Sequence, residues 1–144
     1  MLIRLLPDQI PDHWETIKRS LDDTLIVIED NRNYNEILEK LLIDQMICWI
    51  IVGEGDNQIC GLAITTTTKD EGLNYNGLLL YSFNLFNSSK AGLLKGAFIS
   101  LMRYAKSIGC KDIYAFSNIP EIYQMAKRLG ADIETRRISF KIGE

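Results

Sequence analysis

With 144 residues, 47% of them hydrophobic and 24% charged, the chain has the length of a single domain, 1–144, and enough apolar material for a real core. Its net charge of −3 lacks the basic surplus of a nucleic-acid binder, and no apolar run reaches the ~18 residues of a membrane helix. Cys48, Cys60 and Cys110 match no metal or redox spacing and sit beside apolar residues, so they read as core fillers in a reducing, cytoplasmic setting. No charged start followed by a long apolar run opens the chain, so no signal peptide is expected.

Met1 to Leu6 reads as a short strand stopped by Pro7. A helix follows, with Asp12 as its expected N-cap, Glu15 three residues on, and Ile10, Trp14, Ile17 and Leu21 at helical spacing. His13, the sole histidine, falls among polar neighbours and is expected at the surface. The apolar run Leu25 to Ile28 leads into a polar connection, Glu29 to Asn35. A second helix is expected to bury Ile37, Leu38, Leu41, Leu42 and Met46. Cys48 to Val52 and Ile59 to Thr68 read as strands of a hairpin around the turn signal Gly53-Glu54-Gly55-Asp56-Asn57. Lys69 to Gly72 reads as the next turn, Leu73 to Phe86 as a long strand, and the four threonines Thr65 to Thr68 as sheet surface. The acidic group Asp22, Asp23, Glu29 and Asp30 and the basic group Lys127, Arg128, Arg136, Arg137 and Lys141 read as solvated faces.

Leu78 to Cys110 organises the rest: a buried strand, a polar turn containing glycine, then a long amphipathic helix. That order aims free backbone N–H groups and the positive end of a helix dipole at one point, where a phosphate or carboxylate can be held. Asp112 to Phe116 follows as a strand. Ile119 to Leu129 reads as a helix opened by Asn118, with Pro120 in its first turn and Gly130 closing it. Ile133 to Ile142 reads as one last strand, with Ile138, Phe140 and Ile142 facing inward. The order β-α-α-β-β-β-α-β-α-β implies an α+β fold, a mixed and mostly antiparallel sheet flanked by helices.

This order, with Tyr104-Ala105-Lys106-Ser107-Ile108-Gly109-Cys110 before strand Ile113 to Phe116 and with Ala126-Lys127-Arg128-Leu129-Gly130-Ala131, resembles the GNAT superfamily of acyl-CoA-dependent N-acyltransferases. The resemblance implies an acyl-CoA cofactor, acetyl-CoA being the simplest, lying where the fourth and fifth strands splay apart. Backbone groups near Asn84 and Leu85 would hold its pantetheine arm and acyl carbonyl. The segment Ser88, Ser89, Lys90, Gly92, Leu93, Leu94 and Lys95 would hold its pyrophosphate, with Asn118 also at the cofactor. Ser89, Gly92 and Leu94 fall on the three marked positions of the family's R/Q-x-x-G-x-G/A loop. Gly92 keeps the pattern, whereas Ser89 and Leu94 depart from it. Ala126 stands where the family often has an acid tyrosine, and Tyr123 lies one helical turn earlier. No Asp or Glu occurs from Leu78 to Asn87, which leaves Tyr81, Ser82 and Asn84 to orient an amine or a water. The catalytic candidates are therefore Tyr81 and Tyr123.

Two classes of function follow. One is an acetyl-CoA-dependent N-acetyltransferase acting on a small-molecule or protein amine. The other is a GNAT-like module that has lost catalysis, as in small proteins of tailed phages, and serves as a virion or accessory component docking a protein partner. The run AKRLGADIETRRISF resembles endings of that second kind, and Arg136-Arg137 would belong to its docking surface. A regulatory domain that binds CoA without turnover lies between the two. The resemblance also allows a homo-oligomer, with no metal, nucleic acid or membrane partner.

Overall fold

The computed structural model describes residues 1–23, 33–53, 58–70, 75–86, 91–117, 124, 126–134 and 137–142. The apolar run Leu25 to Ile28, Ser88, Ser89, Lys90, Asn118, Tyr123 and Arg136 lie outside the described residues. β1 (Leu2–Arg4) leads through a single 3-10 turn, Pro7–Gln9, into α1 (Ile10–Asp22). The helix starts two residues before the expected cap: Gln9 is the N-cap and Asp12 lies in the first turn. Gln9 also accepts the Leu6 N–H at 2.8 Å, and Pro11 costs nothing in a first turn that has no N–H partner to lose. Asp12 then favours the helix through its charge at the positive end of the dipole. His13 is half-buried rather than fully at the surface.

α2 (Tyr34–Leu42) is capped by Asn33, whose side chain accepts the Glu36 N–H at 3.1 Å. Ile37 and Leu41 are buried as expected, but Leu42 is exposed. The helix stops there, and Asp44 turns the chain with a φ of 65°, so the last leucine lies past the buried stripe. The Tyr34 hydroxyl donates to the Asp22 carboxylate, tying the start of α2 to the end of α1.

β2 (Ile47–Val52), β3 (Ile59–Asp70) and β4 (Tyr75–Leu85) form a meander. Lys69 and Asp70, expected in a turn, extend β3, because they pair with Asn76 and Tyr75. α3 (Ala91–Ser107) follows, then β5 (Asp112–Phe116), β6 (Asp132–Glu134) and β7 (Arg137–Lys141). The expected single strand from Ile133 to Ile142 is instead a hairpin, with Glu134 opposite Arg137. Its connection, Thr135-Arg136, carries no glycine or asparagine, so the usual signature of a tight hairpin is missing from the sequence. Among the described residues seven strands form one sheet in the order β1-β2-β3-β4-β5-β7-β6, in which only β4 and β5 run parallel. Both edges are three-residue strands, which limits the unpaired backbone open to other chains.

Successive residues of β2 divide the core. Cys48, Ile50 and Val52 face Ile10, Ile17 and Leu21 of α1 and Ile37 and Leu41 of α2. Trp49 and Ile51 face Ala97, Phe98, Leu101 and Ala105 of α3. α3 and the helical turn at 126–128 end alike. Cys110 donates to Ala105 at 2.9 Å and Gly109 to Lys106 at 3.1 Å; Ala131 donates to Ala126 and Gly130 to Lys127, both at 3.0 Å. Gly109 and Gly130 have φ of 82° and 90°, so the repeated A-K-x-x-G pattern encodes two Schellman ends. Among the described residues no helix is long and apolar enough to cross a membrane.

The threonine run is more than sheet surface. Thr65 is fully buried and accepts the Trp49 indole N–H at 2.9 Å. Thr66 donates to the Gln45 carbonyl at 2.9 Å, and Thr68 accepts the Tyr114 hydroxyl at 2.8 Å. Thr65→Val keeps the shape but leaves the indole N–H without an acceptor, an expected loss of about 1–3 kcal/mol in urea unfolding. Wild-type stability would show the bond to be dispensable.

The three cysteines are free thiols, with Cys48 and Cys110 buried and Cys60 half-buried. Burial pushes the Cys48 thiol from 9.0 up to about 12. At pH 8 only about one Cys48 in ten thousand is a thiolate in the folded protein, so alkylation is expected at Cys60 first, read by mass spectrometry. Because the folded value is the raised one, Cys48 adds stability fully present below about pH 9 and lost as pH climbs toward 12. Urea midpoints that stay flat across that window would contradict this.

Candidate active site

The site is built at the C-terminal end of β4. Ile64 of β3 faces Ser82 and Thr65 faces Leu80, so Tyr81 is the extra residue of a β-bulge. The bulge shifts the phase of the strand. Leu78 and Leu80 point into the α3-side core before it, and Phe83 does so after it, with Leu85 packed alongside. Tyr81 is half-buried and packs against the other core cluster, on the side of α1 and α2. Ser82 is buried, while Asn84 and Leu85 are half-buried.

Just before the bulge the sheet opens. β4 and β5 pair only at Gly77–Asp112, Leu78–Ile113 and Leu79–Tyr114. β5 then continues with β7 through Ala115 and Phe116, while β4 continues with β3 to Leu85. The β5-facing edge of β4 from Leu80 onward is thus without a strand partner among the described residues. Backbone N–H and C=O groups on such an edge can hold an extended ligand as an added strand would.

α3 begins six residues after β4 ends, and Phe98 lies on Phe83 with ring centroids 5.6 Å apart, so its first turns are set close to this gap. The first turn carries no acidic residue. Gly92 and Lys95 are exposed, and Leu93 packs toward the core. A Cβ added at Gly92 or Gly96 would meet nothing within 4 Å, so this helix face is open. Leu94 lies in α3. An open strand edge beside an acid-free helix N-terminus has the donors that a thioester carbonyl, a pantetheine amide and a pyrophosphate would need, so the described residues fit acetyl-CoA. Ala126 is buried in the core.

On the other side of β4 lies an open cleft of about 440 Å³. Asn84, Leu85 and Phe86 form one wall, and Thr16, Arg19 and Ser20 of α1 with Asp23 at its C-cap form the other. Asn84 and Leu85 were anticipated from the sequence; the α1 residues were not. Their signal is a stripe at 16, 19, 20 and 23, polar at every position and set at the same helical spacing as the buried stripe beside it. The cleft opens at Asn84 to Phe86, three residues beyond Tyr81, and Phe86 is exposed on its wall. A smaller cavity of about 180 Å³ near Thr65, Leu78 and Tyr104 is bordered by the Arg4–Asp44 ion pair at 2.9 Å. Burial pushes the Tyr104 phenol up there, partly offset by the Arg4 charge. Among the described residues no His, Cys, Asp and Glu cluster could hold a metal.

No protein-family model matches the sequence, and no curated protein matches it. Solved structures do match. A proposed GNAT-family acetyltransferase from Desulfovibrio desulfuricans aligns over 99% of both chains at 13% identity, with a TM-score of 0.70. NAA60 from Arabidopsis thaliana, solved with acetyl-CoA, aligns over 99% of this chain and 98% of its own at 12% identity and a TM-score of 0.69. The fold is that of the GNAT acetyltransferases. A predicted acetyltransferase from Clostridium acetobutylicum, solved with acetyl-CoA, shares the GNAT fold over 94% of this chain and 90% of its own, at 19% identity and a TM-score of 0.64. Within the GNAT fold of this chain, the parted strands, the bulge and the start of α3 meet at one end of the sheet.

Proposed function

We propose that the chain is an acetyl-CoA-dependent N-acetyltransferase, in which an amine nitrogen attacks the thioester carbon directly. The observation that carries this reading is the end of β4–β5 pairing at Leu79–Tyr114, next to an α3 N-terminus without acidic residues. The cofactor would supply an activated acyl group, the carbon–sulfur bond breaking as the carbon–nitrogen bond forms. The Leu85 backbone N–H, next to Asn84 and facing the open edge, orients and polarises the carbonyl. The segment 88–90 with Gly92, Leu93, Leu94 and Lys95 holds the pyrophosphate, Asn118 helps to seat the cofactor, and Lys95 adds a positive charge. The amine must lose a proton and the departing sulfur must gain one. The Tyr81 and Tyr123 hydroxyls are the groups proposed to carry these transfers.

A non-catalytic GNAT-like module, of the kind a phage particle could carry, is the second reading. Buried Ala126 favours it, since a side chain that could carry a proton is missing there. One titration separates the two. Isothermal titration with acetyl-CoA is expected to show micromolar binding, followed by amine-dependent release of free CoA. Tyr81→Phe is expected to lower turnover on the order of 100-fold with cofactor affinity unchanged. No heat at millimolar acetyl-CoA would remove the enzyme reading and leave the module.

A further inference from the structure

We infer that the cleft between α1 and the end of β4 selects a small zwitterion, a free amino acid, as the acceptor. This rests on the acetyltransferase reading for its chemistry, while the binding site itself stands on its own residues. Arg19 of α1 and Asp23, the residue that caps the end of α1, lie four positions apart and both line the cleft, yet among the described residues neither forms an ion pair. Opposite charges at that spacing are near enough to reach each other across the helix surface. Left apart at the wall of a cavity, they present one cationic and one anionic contact to whatever enters.

The composition of the cleft decides the ligand class. A simple amine would meet Asp23 but be repelled by Arg19, and a simple carboxylate would meet the reverse. A molecule carrying both an ammonium and a carboxylate satisfies both, and the guanidinium fork suits the two oxygens of a carboxylate. Thr16, Ser20 and Asn84 add hydroxyl and amide partners, and Ser20 is itself buried. The volume of about 440 Å³ lies in the range of small-molecule sites, too small for a folded partner and ample for an amino acid. Among the described lining residues the exposed Phe86 offers an apolar surface, against which a side chain can rest. Asn84 and Leu85 belong equally to the strand end proposed to hold the acyl carbonyl, so an amine in this cleft is already beside it. Asp23 holds the ammonium there until its proton is lost, and Arg19 anchors the far end of the molecule.

Saturation-transfer NMR with the twenty free amino acids, run with and without CoA, tests this, each binder being compared with its decarboxylated amine and its deaminated acid. At least one amino acid is expected to bind at least tenfold more tightly than either analogue. Arg19→Gln and Asp23→Asn, both at exposed positions, are expected to weaken it tenfold or more while leaving the melting temperature and the acetyl-CoA affinity unchanged. Equal binding of the plain amine, no amino-acid binding with or without CoA, or unaltered affinity in both variants would overturn the inference. Amino-acid binding in a protein with no affinity for acetyl-CoA would uphold this site and defeat the enzyme reading. The reverse pattern would uphold the enzyme and defeat this site.

Discussion

Gly61→Ala is expected to lower stability by about 2–3 kcal/mol and to weaken acetyl-CoA binding at least tenfold. Gly61 pairs with Leu85, and a Cβ built on it would lie 2.3 Å from the Asn84 carbonyl oxygen and 3.2 Å from the Leu85 Cα. Both are backbone atoms, so no side chain can swing aside to admit the methyl. The strands must part, yet the Phe86 N–H is held to the Cys60 carbonyl at 2.7 Å next door. The displaced stretch is the one proposed to hold the acyl carbonyl, so stability and binding should fall together. Gly92→Ala and Gly96→Ala provide the contrast. They have open space around the new methyl, and each should gain up to about 1 kcal/mol from helix propensity. A Gly61→Ala protein that melts and binds like wild type would show that β3 and β4 separate freely at this end.

Leu101→Ala should have the larger effect on stability alone, about 2–5 kcal/mol, a melting-temperature drop of roughly 6–20 °C. Leu101 is fully buried at the centre of the face that α3 presents to the sheet, between Phe98 and Ala105. Phe98 is already committed to Phe83 and Phe140, with centroids at 5.6 and 5.2 Å, so it cannot turn to fill the space. Ile99→Ala, on the exposed side of the same helix, removes as much side chain with little burial and should change the melting temperature only slightly. Equal losses from the two would mean that α3 is not seated on the sheet through this face.

Much of this architecture was legible in the chain. Ile10, Ile17 and Leu21 repeat at helical spacing and are buried together, and the two A-K-x-x-G segments end helices in the same way. The strand and the helix within Leu78 to Cys110 appeared as expected, because periodicity and end signals are local and need no knowledge of the fold. The errors fell where local signals were absent or outweighed. Asp12 lost the cap to Gln9 because a 3-10 turn feeds the helix earlier. The last strand divided into two at Thr135-Arg136, which lacks turn chemistry. Thr65 is buried because Trp49 lies beside it across the sheet, and a run of threonines carries no mark of that.

The candidate site divides along the same line. Sequence by itself determined the α+β order, the helix stripes and a helix N-terminus free of acidic residues, since each depends on residues close together in the chain. Only the tertiary structure decided that Tyr81 bulges, that β4 and β5 part after Leu79, and that Gly61 must yield room to Asn84. It alone brought Arg19 and Asp23 to the end of β4. These are questions of register and of packing between segments far apart in sequence. A strand's register is set by which partner it meets, and one added residue turns every side chain beyond it to the opposite face.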